Sequence, residues 1–287
     1  MNHSMLYDAN FEDGPVQLGR YLSRITAPNP GPMTGGGTNT YLIGRRDKYI
    51  IVDPGPSIDS HIEAILRAVG GADNIGLILL THMHADHSPA AVPLAELSGV
   101  PIYGRSPVND DYQDNSCQLA EELLHDQRII FDGLSVRAIH TPGHVNNHVC
   151  FLLEDEGILM TGDHIMQGST VVIIPPHGDM KDYIDSLHLL KNYPLTGLAP
   201  GHGELISAPK KEIQGIIEHR LRRESKVVDR IEGLGEPVSL EQLTLTVYDD
   251  VDESLHPIAQ LSLQAHLLKL EREQRVLHRN KLWHWLG

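Results

Sequence analysis

The segment "LTHMHADHSP", Leu80 to Pro89, places His82, His84, Asp86 and His87 directly behind the apolar run "GLILL". In extended backbone, residues two apart face the same way, so His82 and His84 can converge on one point. The chain then turns, and Asp86 and His87 can face a second point nearby. Neutral imidazole and carboxylate are the donors preferred by Zn²⁺ and related first-row cations. With 18 histidines in 287 residues, one cluster could reflect composition alone. Recurrence decides the matter: "LSVRAIHTPGH" ends at His144, "GILMTGD" at Asp163 and "GLAPGH" at His202. Four strand-like runs each end in metal-binding side chains, and loops on a rigid scaffold are where sites usually sit. Together the runs supply enough donors for two metals, each keeping a position for water.

Those donors need strands to carry them. "TNTYLIG" and "KYIIVDPG" read as a hairpin, with Asp53-Pro54-Gly55 closing its second strand. "SIDSHIEAILRAVG" has helical spacing through Ile58, Ile62, Ile65, Leu66 and Val69, and Gly70-Gly71 stops it. A buried strand at "IGLILLTH" precedes a helix near "PAAVPLAELSG" and a strand at "PIYG". Further strands read at "QRIIF", "LSVRAIHT", "HVCFLL" and "GILMTGD"; a helix follows at "MKDYIDSLHLLKNY", then a strand at "GLAPGH". From about Pro209 the pattern is helical, with Ile213, Ile216, Ile217, Leu221, Val227, Val228 and Ile231 as an apolar stripe. Gly233 and Gly235 set an expected domain boundary near residue 234, giving domains 1–234 and 235–287. Two further helices and a hairpin at "RVLHRNKLWHW" read as a small winged-helix-like module.

The opening stretch "MNHSMLYDANFEDGPVQLG" lacks the basic and apolar regions of a leader, and no apolar run reaches the ~20 residues that span a bilayer. Cys117 and Cys150 are the two cysteines, and neither sits in a CxxC pattern. A cytoplasmic location with no membrane partner is expected. Lys+Arg 23 against Asp+Glu 38 gives a net charge of −15, which opposes polyanion binding. RNA is therefore allowed but not favoured, and DNA is not expected. The tail from Gly235 carries five basic and eight acidic residues, unlike a DNA-reading winged helix. It is expected to shape the mouth of the site or a subunit interface, so a homo-oligomer is allowed.

The pattern H-x-H-x-D-H, a His after T-P-G, an Asp after T-G and a His after P-G resembles the metallo-β-lactamase-fold hydrolase superfamily, across roughly Thr38 to Gly203. "NPGPMTGGGTNTYLIG", "HTPGHVNNH" and "IEHRLRRE" are similar to the beta-lactamase-like protein 2 branch, over nearly the whole chain. The resemblance implies an α+β fold, an αββα four-layer sandwich, with a C-terminal winged-helix-like module. It implies His82, His84 and His144 on one metal, Asp86, His87 and His202 on a second, and Asp163 bridging both. Asp53 resembles the aspartate that supports the ligand loop in this family. The family usually continues D-H-x-G-G, whereas Ser88-Pro89-Ala90 stands here. That departure makes Ser88 a candidate for substrate contact.

Two divalent ions ~3.5–4 Å apart would share a water and acidify it, giving a bridging hydroxide at neutral pH. Zn²⁺ is expected first, with Mn²⁺ or Fe also accommodated by these donors. Asp86 could in addition orient the nucleophile. The leading expectation is hydrolysis of an ester or thioester in a small or acyl-linked substrate. The alternative is a metal-dependent single-strand endoribonuclease, since the resembling branch includes one; a non-catalytic metal-binding or sensor protein ranks third. His140 and His148 are expected to pack beneath the site, and His177 on the loop "PPHGDM" to reach substrate or stand at a loop tip. Tyr183 reads as a core residue. Arg220, Arg222, Arg223 and Lys226, interleaved with Glu218 and Glu224, read as a solvated, salt-bridged face. His3, His61, His125, His188, His256, His266, His278 and His284 read as surface or packing residues.

Overall fold

A computed structural model describes residues 14–44, 47–108, 110 and 113–287; residues 1–13, with His3, lie outside them. The chain forms two compact units. The first takes the chain up to Thr141, then Asn147–Thr170 and Pro194–Pro209; the second takes Pro142–Asn146, Val171–Tyr193 and Lys210–Gly287.

In the first unit, β1 (Val16–Gln17), β2 (Leu22–Thr26), β3 (Asn39–Gly44), β4 (Tyr49–Val52), β5 (Ile75–Leu79), β6 (Ile102–Gly104) and β7 (Glu121–Glu122) form one sheet in sequential order. Its first four strands are antiparallel and the remaining pairings parallel. A second sheet contains β8 (Gln127–Phe131), β9 (Leu134–His140), β10 (Val149–Leu153), β11 (Ile158–Gly162) and β12 (Gly197–Pro200), in the order β12-β11-β10-β9-β8. β11 and β12 are parallel, and the other neighbours antiparallel.

The apolar runs follow from burial on both faces. Tyr41, Ile43, Ile50, Val52, Leu77 and Leu79 of the first sheet pack against Val136, Phe151 and Met160 of the second. The alternate residues Leu42, Ile51 and Ile78 turn outward onto α1 (Asp59–Val69) and α2 (Ala91–Ser98), through Ile62, Ile65, Val69 and Leu94. A strand covered on both sides reads as a continuous apolar run rather than an alternating one. Gly70 caps α1 in the left-handed conformation at φ 79°, which accounts for the expected stop.

The second unit holds α3 (Met180–Leu190), α4 (Pro209–Leu234), α5 (Leu240–Val247), α6 (His256–Arg272) and the hairpin β13 (Val276–Arg279) to β14 (Leu282–Trp285). Ser239 opens α5 with a capping box completed by Gln242. Asn280 and Lys281 both have positive φ, 53° and 65°, as a two-residue hairpin turn requires. Val227, Ile231, Leu243, Leu263, Leu267, Val276 and Trp283 make its core. α4 thus shares a core with the tail, so the compact units do not part at residue 234.

Candidate metal centre

β5 delivers the first donors. Its last residues are fully buried, and the chain leaves it at Leu80 to form the loop bearing His82, His84, Asp86 and His87. The loop closes on itself, with His87 N and Ser88 N donating to His84 O at 2.9 and 3.2 Å. Asp53, at the end of β4, holds it from behind. One carboxylate oxygen accepts from Thr81 N at 2.7 Å. The other accepts from Thr81 Oγ1 at 2.6 Å and lies 2.9 Å from His87 Nδ1. Asp53 has φ 48°, left-handed backbone that costs a non-glycine residue free energy. With Nδ1 engaged, His87 turns Nε2 toward the carboxylates. That buried nitrogen has no hydrogen-bond partner and stands 3.4 Å from Asp86 Oδ2 and 3.3 Å from Asp163 Oδ1.

The later donors come from the second sheet. Asp163 follows β11 directly, and His202 follows β12 by one glycine. A Cβ on Gly201 would fall 2.7 Å from Asp163 Oδ1 and 2.8 Å from His87 Cε1, so only glycine fits between the donors. His202 Nδ1 is engaged by Gly37 O at 3.1 Å, and its Nε2 lies 3.2 Å from both Asp86 Oδ2 and Asp163 Oδ1. His144 sits in the turn between β9 and β10, with Nδ1 3.0 Å from Val172 O. Each engaged Nδ1 fixes the tautomer that leaves Nε2 as the donor.

Two groups of donor atoms result: His82, His84, His144 and Asp163, and then Asp86, His87 and His202, each group lying within 4.8 Å. All the residues expected as ligands are brought together, and Asp163 touches both sets. Two of the imidazoles in the first set, His82 Nε2 and His84 Nδ1, are 2.9 Å apart. Several nitrogens and carboxylate oxygens aimed at one small volume suit a cation held by imidazole and carboxylate. With no cation between them, the carboxylates are balanced by charge on the histidines themselves, protons that a bound cation would displace. Burial holds His82 well below its ordinary value, aided by the neighbouring His87 and His84. Burial opposes charge on His202, yet Asp163 and Asp86 raise it to about 10. His87 is likewise lifted against burial by Asp86 and Asp163. Asp86 and Asp163 are both held ionised, because the facing histidines outweigh the cost of burial.

Ser88 takes a different place from the one expected. It is fully buried, and its hydroxyl donates to Asp114 at 2.8 Å. With Pro89 and Ala90 starting the turn into α2, its side chain braces the loop and is not open to a substrate. His148 is buried, 3.0 Å from Thr141 Oγ1, with its ring 5.2 Å from that of His82. His177 is half-buried in the loop before α3, and Tyr183 is fully buried in α3.

Sequence reasoning assigned no role to Thr38, Asn39, Tyr41 or Thr81. Thr38 Oγ1 donates to Asp86 Oδ2 at 3.3 Å. Asn39 Nδ2 donates to Pro200 O and Gly203 O at 2.9 and 2.8 Å, and Tyr41 OH to Pro200 O at 2.6 Å. The available signal was polar residues opening the otherwise apolar β3.

Residues 33–202 match the Metallo-beta-lactamase superfamily, and residues 239–285 the Beta-lactamase associated winged helix domain. The chain belongs to the metallo-beta-lactamase superfamily and ends in a winged helix. It is similar to the Beta-lactamase-like protein 2 homolog of Drosophila melanogaster, 32% identical over 273 residues, 91% of each chain. It is also similar to an atrochrysone carboxyl ACP thioesterase of Aspergillus chevalieri, 31% identical over 88% of this chain and 82% of that one. A solved metallo-beta-lactamase family protein from Thermus thermophilus shares the fold, with TM-score 0.78 at 19% identity, over 94% of this chain and 100% of that one.

Proposed function

We propose that this chain is a dinuclear metallohydrolase cleaving an ester or thioester in a small or acyl-linked substrate. The observation that carries the reading is the pair of donor sets meeting at Asp163. His82, His84 and His144 would hold one ion, Asp86, His87 and His202 the other, and Asp163 both. Divalent ions bound there, Zn²⁺ first and Mn²⁺ or Fe by the same donors, supply Lewis acidity toward a carbonyl and an acidified water.

The rest is done by the chain. Asp53, Gly37 O and Val172 O hold three imidazoles in the Nε2-donating form before substrate arrives. Such preorganisation avoids reorienting dipoles during the reaction. Asp86 stays ionised, with 27% of its side chain exposed, so it can accept a hydrogen bond from the attacking water and aim it. Neither Ser88 nor Cys150 stands ready as a nucleophile: Ser88 is bound to Asp114, and burial pushes the Cys150 thiol up to about 12. His177, half-buried in the loop before α3, would make the substrate contact.

Two facts support acyl chemistry: the likeness to a protein named as an acyl-carrier-protein thioesterase, and a net charge of −15, which disfavours RNA. The buried free thiols Cys117 and Cys150 suit a reducing compartment such as the cytoplasm. A panel of thioesters, esters, lactones, phosphodiesters and single-stranded RNA, run with wild type and His84→Ala, tests the reading. Thioester or ester turnover should fall at least ~100-fold in the variant, and elemental analysis should find two metals per wild-type chain. RNA cleavage that needs Asp163, with no turnover of esters, would replace it with the nuclease reading. Chelator-insensitive protein with less than one metal per chain would make it non-catalytic.

A further inference from the structure

Arg220 lies on the α4 stretch that reads as a solvated basic face, yet it is only 3% exposed. Its neighbours on that stretch are each paired with a carboxylate. Arg222 pairs with Glu218 at 3.7 Å, Arg223 with Asp250 at 2.8 Å and Lys226 with Asp249. Arg220 instead places its guanidinium 5.2 Å from the centre of the Tyr183 ring and donates from Nη2 to Val171 O, while its buried Nε has no hydrogen-bond partner. A guanidinium buried against a ring and a carbonyl is costly, so whatever it fixes must matter to the fold or the site.

What it fixes is one peptide from a metal donor. The carbonyl of the next residue, Val172, engages His144 Nδ1 at 3.0 Å. Tyr183, under the guanidinium, is the residue onto which the His144 turn is seated. A Cβ on Gly143 would fall 2.3 Å from Tyr183 Cα, so turn and helix touch backbone to backbone. Asp179 N donates to Gly143 O at 2.8 Å, and Ser186 Oγ to Pro142 O at 2.8 Å. Arg220 therefore grips both supports of His144: the strip that sets its ring and the helix that seats its turn. All these residues belong to the second compact unit.

We propose that Arg220 is a positioning residue that fixes the His144 Nδ1–H···O=C Val172 bond and so presents His144 Nε2 to the first donor set. A planar fork that stacks and donates at once can do this; the point charge of lysine cannot. The inference rests on the metal reading above, and the experiment separates the two. Full-length, metal-stripped protein is titrated with Co²⁺, following stoichiometry, affinity and visible absorption, with circular dichroism as the check on folding. Wild type and the control Arg223→Met should take two equivalents. Arg220→Met and Arg220→Lys should keep one tight equivalent and bind the other about 10- to 100-fold more weakly, the range for losing a group that orients a ligand. His144→Ala should weaken the same equivalent, and adding Arg220→Lys to it should cost nothing further, as for two residues acting through one bond. Folded Arg220 variants with wild-type affinity at both equivalents would overturn the inference, as would additive losses in the double variant. Should Arg220→Met fail to fold, Arg220→Lys alone decides. Wild type binding fewer than two equivalents would sink the metal reading and this inference with it.

Discussion

At the scale of single residues, the centre depends on groups that point away from it. Asp53, Gly37 O and Val172 O each occupy the nitrogen of an imidazole that a bound cation would not use, and Gly201 leaves the room in which the donors meet. Gly201→Ala should therefore leave a folded protein whose activity falls by ~100-fold or more, because a misplacement near 1 Å is worth that much. Activity measured beside a circular-dichroism melt checks this; a fully active alanine variant would show that the cradle is looser than its geometry implies. The donors themselves were legible because each stands where an apolar run stops. Their supports were not. Thr38, Asn39 and Tyr41 act on loops more than a hundred residues away, or nearly fifty in the case of Asp86, through contacts that leave no local spacing. Arg220 was hidden for another reason: charged neighbours at helical spacing disguise a cation that turns inward.

Among the elements, β3, β4, β5, β9, β10, β11 and β12 and every α-helix could be read from apolar pattern and glycine stops. β2 could not. Its "LSRIT" carries Arg24 inside the fold, paired bidentately with Glu204 at 2.8 and 3.0 Å, so its pattern is not that of a buried strand. β1 and β7 are two residues each, too short for any periodicity. The seat of α1 makes a separate prediction. His61 is 2% exposed, 2.9 Å from Thr40 Oγ1 of β3, and burial lowers it from 6.5 to about 4 despite a backbone bond with Pro54. Above pH 6.5 it is neutral in both folded and unfolded chains. As pH falls from 6.5 toward 4, the unfolded chain takes up a proton that the native state refuses. Native stability then drops by up to ~1.4 kcal/mol per pH unit from this residue. Denaturant unfolding at pH 7.5, 6 and 5 should show a shallower loss for His61→Gln than for wild type; equal slopes would assign the loss to other groups.

For the whole molecule, charge is the property that reaches substrates first. At −15, the protein repels anions over a screening length of ~8–10 Å near physiological salt. The kcat/KM for an anionic thioester should rise between 20 and 200 mM NaCl, while that for a neutral ester of the same acyl group stays flat. A fall with salt for the anionic substrate would reveal a local basic track and reopen the nuclease alternative. This charge balance is legible in the sequence; the extent of the winged-helix core is not. That core draws on Val227 and Ile231 of α4, so the sequence break at Gly233-Gly235 marks a turn and not the edge of a packed body.

The link between Gly37 and His202 spans 165 residues, and that distance has a consequence for how the protein matures. During synthesis at ~5–20 residues per second, "HMHADH" emerges well before the strand that ends at His202. For several seconds the nascent chain offers closely spaced imidazoles with no Asp163 or His202 to complete a pocket. Any cation captured then would meet a flexible peptide, whose selectivity comes from availability and affinity order, favouring copper over zinc. The shaped pocket exists only after β12 is laid beside β11. Metal identity thus depends on whether the ion arrives before or after folding, and protein refolded in a mixture of Cu²⁺ and Zn²⁺ should carry more copper than protein offered the same mixture once folded.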